Sequence, residues 1–222
     1  MASWMIHLRV ADKLMDKLGN LSRDEFIMGN MAPDSGVPNS DWSKFTPDKK
    51  TSHFNTVVGG KKIIDIEKYL SKYLTADKKG KYTQKEYSFY LGYLAHLLTD
   101  IEWIERVYDP SCSMYADECS RDKVAFTWKI KEDWYDLDFL YLKNNPNFRA
   151  FTLLRKIEGF PNTYMDIFSK DALQNRKEYI VDFYLQEKSG LERDYTYFTE
   201  SQADDFVEKC VDSVFDKLQN HL

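Results

Sequence analysis

Thr83-Gln84-Lys85-Glu86-Tyr87-Ser88-Phe89-Tyr90-Leu91-Gly92-Tyr93-Leu94-Ala95-His96-Leu97-Leu98-Thr99-Asp100-Ile101 is the stretch that decides the fold. Thr83 followed three residues later by Glu86 is a capping box, in which each side chain bonds the other residue's backbone N–H, and it opens a helix expected over about residues 84–107. Phe89, Leu91, Leu94, Leu97, Leu98 and Ile101 surround most of the circumference instead of forming one stripe, so this helix belongs at the centre of a core. Within that apolar surface stand His96 and Asp100. Four residues apart, they project from one face, and imidazole nitrogen with carboxylate oxygen suits zinc. A histidine and an aspartate hydrogen-bonded to each other inside a helical core fit the same pattern, so the pair alone proves nothing.

Upstream, His7, Ala11, Leu14 and Leu18 share one stripe of a helix over about residues 3–18, with Gly19 in the C-cap position. Ser22-Arg23-Asp24-Glu25 caps a short helix through Phe26, Ile27 and Met28, which ends at the turn Pro33-Asp34-Ser35-Gly36. From there to Phe54, Pro33, Pro38 and Pro47 sit among Asn, Ser and Asp without a sustained period, the pattern of a long loop, ordered or mobile, and a structureless loop of that length is either functional or disordered. About residues 62–74 read as an amphipathic helix, followed by a Lys-Gly-rich turn at 77–81. Downstream, Asp109-Pro110-Ser111 reads as a break. Further helices are expected over about 119–143, 147–158, 162–168, 170–188 and 200–220, the last opened by the capping box Thr199-Glu200-Ser201-Gln202. Strand-like alternation is nearly absent. The expectation is an all-α, single-domain helical bundle over residues 1–222, with its chemistry within 1–106 and additional helices over 119–222.

A chain of 222 residues, 43% hydrophobic and 15% aromatic, is long and apolar enough to bury a core without disulfides. Its 31 basic residues are mixed among 36 acidic ones for a net charge of −5, which disfavours duplex nucleic acid and anionic membrane but not a small phosphorylated substrate. No segment approaches the ~20 apolar residues of a membrane span. Met1-Ala2-Ser3-Trp4 runs straight into a mixed helix without the apolar stretch of a secretory leader, so the expected location is cytoplasmic. Cys112, Cys119 and Cys210 match no zinc ribbon or finger and read as reduced thiols.

Three of the four histidines lie in the first 96 residues; the fourth, His221, is near the C-terminus. His7 falls on the apolar stripe of its helix, where an imidazole needs a buried partner, either a backbone carbonyl or a metal. Asp34 either stabilises its turn or binds, and His53, in Thr51-Ser52-His53-Phe54, has no local feature that marks it. Together three His and two Asp make a nitrogen–oxygen set for one zinc, or for two sharing a carboxylate bridge, and iron or manganese accepts the same ligands.

The order His7-Leu8, Pro33-Asp34, Ser52-His53-Phe54, then Phe89-Tyr90-Leu91-Gly92 leading into His96-Leu97-Leu98-Thr99-Asp100 resembles the zinc-dependent phospholipase C family over about residues 4–106. The resemblance implies the all-helical fold shared with single-strand-specific zinc nucleases, and hydrolysis of phosphodiesters with a zinc cluster. Carried over by position, it implies His7 as ligand of one zinc, Asp34, His53 and His96 as ligands of its neighbour, and Asp100 as the bridge. Family members also ligate through the amino end of a terminal Trp, whereas Trp4 here is preceded by three residues. Their third zinc takes a His after the bridging Asp and a later His-x-x-x-Glu pair; this chain offers Arg106, then Thr127 with Lys131. The implied protein is a shortened member without the third site, acting on a phosphodiester or other phosphoric ester through metal-activated water. Asp34 orients or deprotonates that water if it is not a full ligand, with Arg106, Glu102 and Asp136 as substrate contacts. A non-catalytic, metal-stabilised helical scaffold is the alternative, and an open coordination position separates the two. The run Asp133-Trp134-Tyr135-Asp136-Leu137-Asp138 either lines a pocket or packs the core.

Overall fold

Ser3 caps the first helix by accepting a hydrogen bond from the Ile6 backbone N–H, and α1 runs Trp4–Leu18 with His7 on its buried side. The computed structural model describes residues 1–41 and 43–221. Helix α2 (Arg23–Met31) leads without a break into a 3-10 turn, Ala32–Asp34. The irregular loop expected next holds more order than its prolines suggest: a two-residue pairing of β1 (Val37–Pro38) with β2 (Phe45–Thr46), then the single turn α3 (Lys49–Ser52).

The amphipathic stretch read as one helix over 62–74 divides in two. β3 (Asn55–Val58) and β4 (Lys61–Ile64) form an antiparallel hairpin around Gly59 and Gly60, both at positive φ, and Asp65 then caps α4 (Ile66–Tyr73). A two-glycine turn supplies the backbone that a tight hairpin needs, and it overrides the helical pattern that follows. The Lys-Gly turn contains a further short helix, α5 (Ala76–Lys79).

Helix α6 (Gln84–Trp103) opens with both halves of the capping box formed, and every residue from Ser88 to Asp100 is buried. Its closest neighbour is α2, and the two backbones touch. A Cβ at Gly92 would lie 2.1 Å from the Phe26 carbonyl oxygen, and one at Gly29 would lie 2.0 Å from that of Phe89. Only glycine permits this approach.

The helix continues through a π segment, Ile104–Tyr108, into α7 (Asp109–Met114). Pro110 therefore does not break the chain as expected: it occupies the first turn of α7, where its missing N–H is tolerated. Then follow α8 (Ala116–Arg121), α9 (Lys123–Asn144) and α10 (Arg149–Lys156). Residues 162–168, read as helix, form none. The Asn162 side chain donates to the carbonyls of Met165 and Phe168 at 2.6 and 2.8 Å and accepts from the N–H groups of Tyr164 and Met165. Such local side-chain bonds compete with a helix ladder, and here they win. Helices α11 (Ala172–Tyr184) and α12 (Glu200–Gln219) complete an all-α fold. Among the described residues no helix is long and apolar enough to cross a membrane.

Candidate metal centre

Five side chains from four segments meet in the interior: His7 from α1, Asp34 from the 3-10 turn, His53 from the end of α3, and His96 with Asp100 from α6. The Nε2 atom of His7 lies 3.3 Å from Asp100 Oδ1, and those of His53 and His96 each lie 3.6 Å from Asp100 Oδ2. His53 Nε2 is also 3.6 Å from Asp34 Oδ1 and 3.4 Å from His96 Nε2. The rings of His7 and His96 stack in parallel, centroids 3.7 Å apart. His7, His53, His96 and Asp100 have no solvent exposure at all.

Surrounding groups fix these side chains. The Asn30 carbonyl, carried by α2, lies 2.7 Å from His96 Nδ1. A carbonyl can only accept, so Nδ1 carries the proton and the Nε2 lone pair points into the cluster. The close approach of Gly92 to α2 is what brings that carbonyl within reach. His53 Nδ1 faces the Ser52 hydroxyl at 3.1 Å, and Tyr93 donates its hydroxyl proton to the Ser52 carbonyl. The next residue, Phe54, sits at φ 53°, a region that bulky side chains rarely adopt, and is held there by edge contacts with the rings of Tyr69, Tyr73 and Tyr93. Asp34 Oδ2 accepts from the Trp4 indole N–H at 2.9 Å, and Asp100 Oδ1 accepts from the Ala2 backbone N–H at 2.8 Å.

What remains is a set of buried atoms without hydrogen bonds: both ring nitrogens of His7, Oδ1 of Asp34 and Oδ2 of Asp100. Each such orphan costs about 1–3 kcal/mol if nothing meets it. A cation bound among them meets the carboxylate oxygens and the His7 nitrogen that faces Asp100. Two groups, His7 with His96 and Asp100, and Asp34 with His53 and His96, place one donor atom from each residue within 4.8 Å of the others, close enough to hold a metal ion. The donors are imidazole and carboxylate throughout, a set that zinc accepts.

Protonation agrees with this. Burial pushes the His7 and His53 imidazoles down to about 4. Burial pushes the Asp100 carboxyl up, but the N-terminal ammonium and the His7 and His96 rings outweigh it and hold the group well below its ordinary value. Asp34 is likewise pushed up by burial and more strongly down by Lys49, whose Nζ is 3.3 Å from Oδ1, and by His53. At neutral pH the His7 and His53 rings are neutral and both carboxylates are charged, the forms that bind metal.

The cluster opens to the surface through a cleft of about 60 Å³ lined by Trp4, Asp34, Lys49, Lys131, Trp134 and Tyr135, among others. Burial and the nearby Lys49 push the Lys131 ammonium down. A far larger cavity, about 640 Å³ between α9, α10 and the segment after α11, contains none of the cluster residues.

Arg106, Glu102 and Asp136, read as substrate contacts, point elsewhere. Glu102 is two residues beyond Asp100, roughly 200° further around the helix, so it faces the opposite side. There it accepts from Arg106 at 2.6 Å, Ser213 at 2.6 Å and Lys217 at 2.8 Å, tying α6 to α12. Asp136 pairs with Lys188 at 2.5 Å and Arg193 at 2.7 Å. Asn30 and Lys49 are not placed at the site by sequence reasoning, Lys131 enters it only as a non-ligand at the third-zinc position, and Trp4 is considered for its amino end, whereas it is the indole N–H that reaches Asp34. Trp4 had a signal, being three residues before His7 on the same helical face. A backbone carbonyl such as that of Asn30 has none.

Residues 6–103 match the model of the family described as zinc dependent phospholipase C. No curated protein and no solved structure matches the chain. The matched segment contains all five clustered residues, and the match and the cluster together support a metal-dependent hydrolase.

Proposed function

We propose that this chain, a member of the zinc-dependent phospholipase C family, is a hydrolase of phosphoric esters that works with zinc held by His7, Asp34, His53, His96 and Asp100. The observation that carries the reading is the pair of Nε2 atoms of the buried His53 and His96, 3.4 Å apart beside two charged carboxylates at the inner end of the cleft. Zinc bound there supplies a Lewis acid for a phosphoryl oxygen and lowers the pKa of water toward ~7. Asp100, within 3.6 Å of a nitrogen from each of the three histidines, is the carboxylate placed to serve both groups of donors.

Asp34 has the second role. The Trp4 indole fixes Oδ2 and leaves Oδ1 facing the cluster, so this oxygen either completes the donor set or takes the proton from the attacking water. Its carboxylate is charged at neutral pH, so the accepting form is already present. The buried helices exclude bulk water, which strengthens every electrostatic interaction at the site. A small phosphorylated compound enters at the cleft beside Trp4.

The test measures zinc content of purified protein by mass spectrometry and hydrolysis of bis(4-nitrophenyl) phosphate and 4-nitrophenyl phosphate. The expected result is one or two zinc ions per chain and turnover that Asp100→Ala lowers by about 100-fold or more. Equal rates in the variant would refute the proposal. Stoichiometric zinc without turnover would favour the metal-stabilised scaffold.

A further inference from the structure

The three cysteines fall into two kinds. Cys210 is buried on α12, and burial pushes its thiol up to about 12. Such a thiol is inert at neutral pH, because the thiolate is the nucleophile. Cys112 and Cys119 sit on the consecutive short helices α7 and α8, which meet in a corner at Tyr115. Backbone bonds fix that corner: the Tyr115 N–H donates to the Ser111 carbonyl at 3.0 Å, and the Cys119 N–H to the Tyr115 carbonyl at 2.9 Å. The chain thereby folds a spacing of 7 residues back on itself, and the Cys119 thiol donates to Cys112 Sγ at 2.7 Å.

A disulfide bond measures about 2.05 Å, so the two sulfurs need to close by only about 0.7 Å. A thiol is a weak donor and a weak acceptor, and the contact by itself gives little reason to hold two sulfurs so near. Both side chains are only partly buried, so a small reagent can reach them. Beside them the Tyr108 hydroxyl lies 3.0 Å from that of Thr127 on α9, and the Lys123 ammonium stands 5.7 Å from the Tyr108 ring. Burial and the contact with Cys119 push the Cys112 thiol up to about 11, against the opposing pull of Tyr108 and Lys123. Cys112 thus keeps its proton, and Cys119 is the sulfur that opens an exchange.

We infer that Cys112 and Cys119 are a site of reversible oxidation, joined in an intramolecular disulfide by exchange with a low-molecular-weight disulfide. The Cys119 thiolate attacks one sulfur of the small disulfide, forming a mixed disulfide on Cys119 and releasing one small thiolate. Cys112 then gives up its proton, attacks the Cys119 sulfur and displaces the second small thiolate. The protein loses two electrons and two protons, and the small disulfide leaves as two thiols. The bond ties α7, which continues α6 through the π segment, to α8, which packs on α9. It pins the link between the helix that carries His96 and Asp100 and the helix whose Lys131, Trp134 and Tyr135 line the cleft. The geometry of the thiols carries this inference independently of the hydrolase reading.

The experiment incubates the full-length protein with oxidised glutathione, quenches in acid, then unfolds and alkylates the protein with iodoacetamide. Mass and peptide map are read for wild type, Cys112→Ser and Cys119→Ser. Wild type is expected to pass from three alkylated cysteines to one, Cys210, with the new bond mapped between Cys112 and Cys119. Dithiothreitol should restore all three. Cys112→Ser lacks the resolving thiol, so its glutathione adduct on Cys119 should exceed that of wild type by about tenfold or more. Three alkylated cysteines in oxidised wild type, an adduct as abundant there as in Cys112→Ser, or a bond to Cys210 or between chains would overturn the inference. The pairing in wild type decides the matter even if a serine variant fails to fold.

Discussion

Gly92→Ala should weaken the fold and the metal centre together, for one geometric reason. The added Cβ lies 2.1 Å from the Phe26 carbonyl oxygen, 2.9 Å from its carbon and 3.0 Å from the Asn30 nitrogen. All three are backbone atoms, so no side-chain rotation relieves the clash. Contact distances near 3.5 Å are normal for such atoms, and α2 must therefore retreat from α6 by roughly 1 Å. Overpacking of this kind costs about 3 kcal/mol at the upper end of its usual range. Alanine's better helix propensity offsets about 1 kcal/mol, leaving a net loss of about 2 kcal/mol. In a chain of 222 residues that lowers the melting temperature by about 4–8 °C. The retreat also carries away the Asn30 carbonyl that lies 2.7 Å from His96 Nδ1. With that bond stretched past about 3.5 Å the ring is no longer held, and the loss of such a support lowers metal affinity by about 10- to 100-fold. Thermal unfolding of the metal-free protein and competitive zinc titration against a chromogenic chelator read the two effects separately. A variant with wild-type melting would refute the close-packing argument; one that melts early yet binds zinc as tightly as wild type would refute the role given to the Asn30 carbonyl.

Acid should destabilise the metal-free protein between about pH 6.5 and 4, because burial holds His7 and His53 at about 4 in the folded state, below the ordinary 6.5. In that window the unfolded chain takes up protons that the folded rings refuse, so the stability present above pH 6.5 is lost as pH falls. Asp138, pushed up to about 7 by burial, acts in the opposite sense, but it is one group against two. Urea midpoints that stay level from pH 7 to 4 would contradict this. Glu102→Gln should lower stability by about 1–3 kcal/mol, because it weakens the bonds from Arg106, Ser213 and Lys217, and leave zinc content and ester turnover unchanged. A large effect on KM would return Glu102 to the substrate.

The parts of this molecule that can be read from the sequence are those settled within one element. The capping box at Thr83 and the all-round apolar surface of α6 are local patterns, and they suffice to centre that helix and expose His96 and Asp100 as anomalies. His7 is legible for the same reason. Patterns that compete are less readable: Gly59-Gly60 closes a hairpin over residues whose spacing suits a helix, and Asn162 substitutes its side chain for a helical ladder. Least readable is what depends on distant segments meeting. Lys49 and Lys131 are 82 residues apart and share a cleft, while Glu102, two residues from Asp100, is turned away from it. Nearness along a helix is a poor guide to nearness in a site.

Helix α12 packs along α1 and α6, and its acidic residues Asp204, Glu208 and Asp212 pair in order with Arg9, Lys13 and Lys17. The rising order on both sides means that the two helices run parallel. All five clustered residues lie at or before Asp100, yet the helix that braces α1 and α6 opens at Glu200. The walls that carry His7, His96 and Asp100 are thus held by a segment that contributes no donor of its own. Loss of the three ion pairs would loosen the spacing of the donors while leaving every donor in place.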